Sequence, residues 1–291
     1  MACGGREVAA PSASPGSSDR DIKQIGDGGF ARRQRLRSRG IRLAWQLAVF
    51  VVFVGLWQLS VEMHLLTLFA VSSPIDVERE LLSLSASGVL WSSVGITLEE
   101  TVIGFVTGVI VGVLLGVVLV FWQRTMKVLD PYVTVLNSLP RFALAPLFIL
   151  WFGIGLMSKI VLAFSLVVFI MFTNTLAGGR AIDQDIVTSS RVLGATRRQI
   201  VLKVMLPSIV PWVVAAMRLA IAYAIAGAVV GEMFASEEGI GNLLSVGSSV
   251  FNTAEIFAAL GVIAVIAGIL DTIGRAIERY VLRWKADISL N

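Results

Sequence analysis

Few residues in this chain could do chemistry, and their types exclude most catalysis. Of 291 residues one is Cys and one is His. Cys3 and His64 therefore allow no disulfide framework and give no basis for a zinc or haem site. No Gly-Lys dipeptide occurs, so there is no phosphate-binding loop, and any ATP used would be held by another chain. No catalytic or metal-ligating residue is expected. What remains is cationic: Arg191, Arg197, Arg198 and Lys203 lie in DIVTSSRVLGATRRQIVLKVMLPSIVPW, residues 185–212, a polar and basic stretch between two long hydrophobic runs. Side chains of this kind make docking contacts and set charge placement; they do not make bonds.

The stretch predicts one or two short amphipathic helices, with Val192, Ala195, Ile200 and Val204 spaced three to five residues apart. Gly194 interrupts the run. Pro207 and Pro211 follow at a new apolar start, where a Pro in the first turn is tolerated because its missing N–H would be unpaired anyway.

The elements around this stretch are hydrophobic. With 56% hydrophobic and 15% charged residues, the chain has too little polar surface to coat a soluble globule. Residues 43–61, 101–123, 142–158 and 160–179 carry no charge, and each approaches the ~20 residues that cross a bilayer. Two further runs, 204–231 and 256–282, are interrupted only by Arg218 and by charges from Asp271 onward. The expectation is an all-α integral membrane protein with six transmembrane helices. Six spans place both termini on one side, and that side carries twenty Lys/Arg against two, Arg79 and Lys159, on the other. Both termini and the central loop are then cytoplasmic. The net charge of +4 reports topology and not nucleic-acid binding.

Residues 1–40, rich in Gly, Ser, Pro and Arg, read as a disordered basic cytoplasmic tail, leaving 41–291 as the transmembrane domain. Trp45 and Trp57 sit near the ends of the first span as interfacial anchors, and Tyr280 with Trp284 play that part in the last. Ser73 and Pro74 predict the start of a short surface helix through 75–84. Gly104, Gly108, Gly112 and Gly116 align on one face of the second span and permit close helix approach. Pro146 predicts a kink in the third span. Arg218, about 16 Å along the helix from Pro207, needs a partner or a ligand; Asp271 is at a depth to pair with it, and anion binding is the other reading. Glu232 precedes a glycine turn.

Three motifs carry a family resemblance. Thr188-Ser189-Ser190, Gly194 and Val204-Met205-Leu206-Pro207 resemble the coupling loop of the membrane subunits of ATP-binding-cassette importers, with Thr188 in place of the family's Glu and Val204 in place of its Ile. Residues 139–155, LPRFALAPLFILWFGIG, resemble the nitrate, sulfonate and taurine branch through Pro140, Ala145, Pro146, Leu147, Trp151, Phe152, Gly153 and Gly155. Thr97-Leu98 and Gly104-Phe105 match a further pattern, with Glu100 where the family has a basic residue; near the outer face, the reversal is read either as bearing on substrate preference or as a solvated helix end.

The resemblance implies a type I ABC importer permease fold with a coupling loop at about 180–207, in which Thr188, Ser189, Ser190, Arg191, Gly194, Ala195, Arg197, Arg198, Leu206 and Pro207 meet the ATPase. Pro146, Asn174, Arg218 and Glu232 are the expected translocation-path residues. Implied partners are membrane lipid, a second permease in a homodimer or pseudo-symmetric heterodimer, two cytoplasmic ATP-binding subunits and an extracytoplasmic solute-binding protein; no nucleic acid is involved. This chain would bind no cofactor, ATP and Mg residing on the ATPase subunits, and it would be a multi-pass protein of the bacterial inner membrane. An aliphatic sulfonate or taurine is favoured as substrate, with nitrate, bicarbonate or a vitamin-precursor heterocycle as the alternative. An ion-coupled secondary transporter is the competing class; it needs ionisable groups near the bilayer midplane, and only Arg218 reads clearly as one.

Overall fold

The computed structural model describes residues 44–46, 48–63 and 71–283, apart from the side chains at 123, 124 and 127. The expected tail, Cys3, His64, Trp284 and Lys285 lie outside these residues. Helix α1, Ala44–Glu62, belongs to a compact unit by itself. Every regular element among the described residues of the second unit is helical: α2 Pro74–Ala86, α3 Val89–Phe121, α4 Gln123–Ser138, a 3₁₀ turn Arg141–Leu144, α5 Ala145–Phe152, α6 Leu156–Arg180, α7 Gln184–Val192, α8 Arg197–Ile200, a π-helical turn Val201–Met205, α9 Leu206–Ala235, α10 Ile240–Ser249 and α11 Thr253–Val281.

Helix α6 is the centre of this unit, packed between α3 and α9. The reason is side-chain size. Gly104, Gly108, Gly112 and Gly116 of α3 meet Ala163, Val167, Met171 and Thr175 of α6, one pair per turn. On the other flank α9 presents Ala216, Ala220 and Ala224 to Val167 and Met171. Gly227 lies so close to the backbone of Ala163 that a Cβ there would stand 2.7 Å from its Cα. In lipid, where burial against tails drives little, such backbone proximity supplies the dispersion contacts that hold helices together.

Among the described residues, five helices are long and apolar enough to cross a membrane, and six if one bent pair counts as a span. That pair is the expected third span. It breaks by 81° between 128–138 and 141–152. The predicted kink at Pro146 is not where the chain bends: Leu139 and Pro140 are extended, and Pro146 lies in the first turn of α5. There its missing N–H costs no hydrogen bond, whereas Pro140 stops α4 because the residue before a Pro avoids helical geometry.

The remaining elements follow local rules. Ser73 caps α2, its Oγ accepting from the Asp76 N–H at 3.1 Å, and Pro74 occupies the first turn, as expected. Helix α10 is not read from the sequence, where the glycine turn is followed by the last span. It buries Ile240, Leu243 and Leu244 against Ile225 and Val229 of α9 and Ala259 and Ile266 of α11. Pro211 lies inside α9, not in its first turn.

Candidate functional site

The loop joining α6 to α9 is folded. Asp183 caps α7 by accepting from the Asp185 N–H at 2.8 Å. Gly194, at φ +83°, ends the helix, with its N–H donating to the Arg191 carbonyl and that of Ala195 to the Ser190 carbonyl. This left-handed conformation is one that glycine adopts without a Cβ clash. Thr196 and Gln199 then form a reciprocal capping box that starts α8. The π turn that follows closes with the Leu206 N–H bonded to the Val201 carbonyl. Widening the helix there accommodates the Pro207 ring, which would otherwise meet the carbonyl four residues earlier.

The loop has an anchored face and a free face. Val187 of α7 and Ile200 of α8 are buried with Ile182, Phe172, Leu176 and Ile209. Val192 and Leu193 are 83% and 87% exposed. Arg191, Arg197 and Arg198 are exposed beside them, as are Thr188 and Ser189; Ser190 and Ala195 are half-buried. Placing Val192 on one apolar stripe with Ile200 is therefore incorrect. The turn at Gly194 resets the helical phase, so the two side chains point to different surroundings. Thr196→Ala removes the cap of α8 and is expected to cost about 1 kcal/mol locally; amide exchange should quicken at 197–200 and stay unchanged through α6.

At the opposite end of α6 and α9 lies a buried charge cluster. Lys159 Nζ stands 2.6 Å from Glu100 Oε1, the two side chains 6% and 0% exposed, and donates to Ser236 Oγ at 2.9 Å. Glu232 accepts from Thr97 Oγ1 and from the Gly241 N–H, both at 2.7 Å, and Thr97 Oγ1 accepts from the Ile240 N–H at 3.0 Å. Glu100 is thus not at a solvated helix end. Helix α3 begins at Val89, about three turns before Glu100, which places the carboxylate inside the α3–α6 contact. The cluster joins α3, α6, α9 and α10.

The four expected path residues are dispersed. Glu232 sits in that cluster. Arg218 pairs across α9 and α11 with Asp271 at 3.4 Å and Glu278 at 3.5 Å, so the ion pair with Asp271 is present. Asn174 donates to the Ile170 carbonyl of its own helix, and Pro146 is exposed at the start of α5. No hydrogen bond or ion pair among the described residues joins these four. Another cation emerges at the break between α4 and α5. Arg141 Nη2 donates to Asn137 Oδ1 at 2.9 Å, and its guanidinium carbon lies 4.2 Å from the centre of the Phe169 ring. Arg141 is not among the expected path residues; its neighbour on α6 singles it out.

Comparison with known proteins bears on the family and the fold. Residues 79–286 match the family described as binding-protein-dependent transport system inner membrane component. The chain is 30% identical over 246 residues to a Bacillus subtilis (strain 168) protein, SsuC, whose name assigns it provisionally to aliphatic sulfonates transport as a permease, covering 84% of this chain and 89% of that one. It is 32% identical over 253 residues to the riboflavin transport system permease protein RibX of Chloroflexus aurantiacus, covering 87% and 93%. It is also 24% identical over 268 residues to the taurine transport system permease protein TauC of Escherichia coli (strain K12), covering 88% and 98%. Among solved structures, an inward-facing MetNI methionine ABC transporter chain superposes with a TM-score of 0.54 at 24% identity, covering 69% of this chain and 97% of that chain, and shares its fold. The chain belongs to the binding-protein-dependent transport system inner membrane components, the permease subunits of ABC transporters.

Proposed function

We propose that this permease subunit carries a small anionic solute, an aliphatic sulfonate or taurine, and is driven through its loop at about 180–207 by a partner ATPase. The observation that carries the second part is the free face of that loop. Two large apolar side chains, Val192 and Leu193, stand in the open beside Arg191, Arg197 and Arg198. An apolar centre rimmed by arginines is the composition of a docking patch. Thr188, Ser189, Ser190 and Ala195 flank the contact, and Leu206 and Pro207 hand its movement to α9. The complex in this reading contains two permeases, two ATP-binding subunits holding ATP and Mg, and an extracytoplasmic binding protein. Residues 41–291 form the permease domain in the bacterial inner membrane, with both termini and the loop cytoplasmic.

The substrate class is supported by the relatives named for sulfonates and taurine, and the riboflavin permease relative supports an uncharged heterocycle as the competitor. Reconstituting the complex in lipid and comparing wild type with Gly194→Asp and Arg197→Glu tests the loop. The expected result is loss of most of the stimulation of ATP hydrolysis by loaded binding protein, or release of the ATPase from the membrane. Normal assembly and stimulation in both variants would reduce the segment to a basic cytoplasmic loop. Uptake without any ATPase subunit would favour the ion-coupled secondary transporter.

A further inference from the structure

We infer that Arg141, at the break between α4 and α5, is the group in this subunit that reads the anionic part of the solute as it passes. The inference rests on the anionic-solute reading above and adds a residue and a location to it. Depth is the first observation. The guanidinium lies against Phe169, which is 13 residues from Leu156 and 11 from Arg180, the ends of α6. At 1.5 Å per residue this is about 20 Å from one end and about 16 Å from the other, so Arg141 is near the middle of the membrane. An intramembrane cation is expensive and persists where it is neutralised or functional.

Neutralisation is the second observation. Lys159 is paired with Glu100, Arg218 with Asp271 and Glu278, and Arg180 with Asp130. Among the described residues no carboxylate oxygen lies within 4 Å of Arg141, whose polar contacts are Asn137 Oδ1 and, at 3.4 Å, the Leu136 carbonyl. Both engage Nη2; Nε makes no hydrogen bond among the described residues. A guanidinium held on one side by a neutral amide and a ring, with N–H groups to spare, suits the oxygens of a sulfonate or carboxylate.

The third observation is the backbone. Chain that leaves helical geometry at membrane depth is tolerated where it lines a water-filled cavity or is enclosed by protein. Leu139 and Pro140 are extended there, and Leu139, Phe142 and Ala143 around the break are exposed. Helix α9, which packs against α5, carries Tyr223, 39% exposed, and Leu219 one turn away, 52% exposed. These two positions can report on the potential without altering Arg141.

The test uses the full chain in its complex in lipid, with Cys3→Ser to remove its single thiol. Tyr223→Cys and, in parallel, Leu219→Cys are labelled with an anionic sulfonatoethyl and a cationic trimethylammoniumethyl methanethiosulfonate. The anionic reagent should be favoured, and adding Arg141→Gln should lower the anion-to-cation rate ratio on the order of tenfold. A ratio unchanged by Arg141→Gln would overturn the inference, as would labelling confined to a membrane-permeant maleimide, which would place the face in lipid. Uptake supplies the second arm. Ethanesulfonate transport should fall at least about tenfold in Arg141→Gln and recover partly in Arg141→Lys, with the variant complexes assembling as the wild type does. Wild-type ethanesulfonate uptake by Arg141→Gln, or uptake of riboflavin but no anion by the wild type, would overturn it. Failure of the docking reading would show elsewhere, as loss of assembly or of stimulated hydrolysis in the loop variants.

Discussion

Lys159→Met is expected to destabilise the folded subunit by about 3–5 kcal/mol, because it leaves the Glu100 carboxylate buried without its counter-charge. Exposure decides the magnitude. The Lys159–Glu100 contact is 2.6 Å long between side chains 6% and 0% exposed. The Arg180–Asp130 pair is of similar length, 2.8 Å, but its side chains are 61% and 53% exposed. Water screens the second pair, so Arg180→Ala should cost less than about 1 kcal/mol. In the first, removing one partner forfeits both the attraction and the solvation of the survivor. Thermal unfolding in detergent would read the difference, with a fall in Tm on the order of 10 °C for Lys159→Met. The double variant Lys159→Met with Glu100→Leu should regain most of the loss, since a buried pair replaced by apolar groups is often neutral. A Lys159→Met protein as stable as Arg180→Ala would refute this account of the cluster.

Gly112→Leu should disrupt the α3–α6 contact and with it the folded subunit. A Cβ at 112 would stand 2.5 Å from the Val168 carbonyl oxygen and 2.7 Å from Met171 Cβ. The obstacle is backbone, which can yield only if the two helices separate, and separation would loosen the neighbouring contacts at Gly108 and Gly116. Even Gly112→Ala should cost about 1–3 kcal/mol. Gly261 in α11 is the control, because a Cβ there meets nothing within 4 Å. Gly261→Leu should therefore remain monodisperse in detergent with a Tm near wild type, while Gly112→Leu aggregates or melts many degrees lower. Equal behaviour of the two would mean that the glycine stripe is not a packing surface.

Both expectations rest on a feature that the sequence shows only in part. The stripe itself is legible, because a four-residue repeat of glycine specifies one helix face wherever that helix lies. Its partner is not, since Ala163, Val167, Met171 and Thr175 are no more distinctive than other apolar positions of α6. The charge cluster is less legible still. Glu100 reads as a helix end because the uncharged run begins at Thr101; the helix actually starts at Val89, and amphipathic turns before the apolar run leave no sharp hydropathy signal. Helix α10 escapes for the same reason of length, ten residues being short of a span. For the loop, the break at Gly194 is readable, while the free and anchored faces are not, because a left-handed residue between two short helices breaks any single periodicity.

The sequence by itself determined what acts locally: the membrane class from composition, the approximate spans from charge-free runs, the caps at Ser73 and the turn at Gly194 from residue type, and the family from motif spacing. Tertiary structure decided what depends on distant residues meeting. The Thr97 hydroxyl is joined to Glu232 and Ile240 across separations of 135 and 143 residues. The bend at Leu139–Pro140, the exposure of Val192 and Leu193, and the stacking of Arg141 on Phe169 belong to the same group. Hydropathy and propensity are sums over neighbours in the chain, whereas burial and pairing of charge are set by neighbours in space.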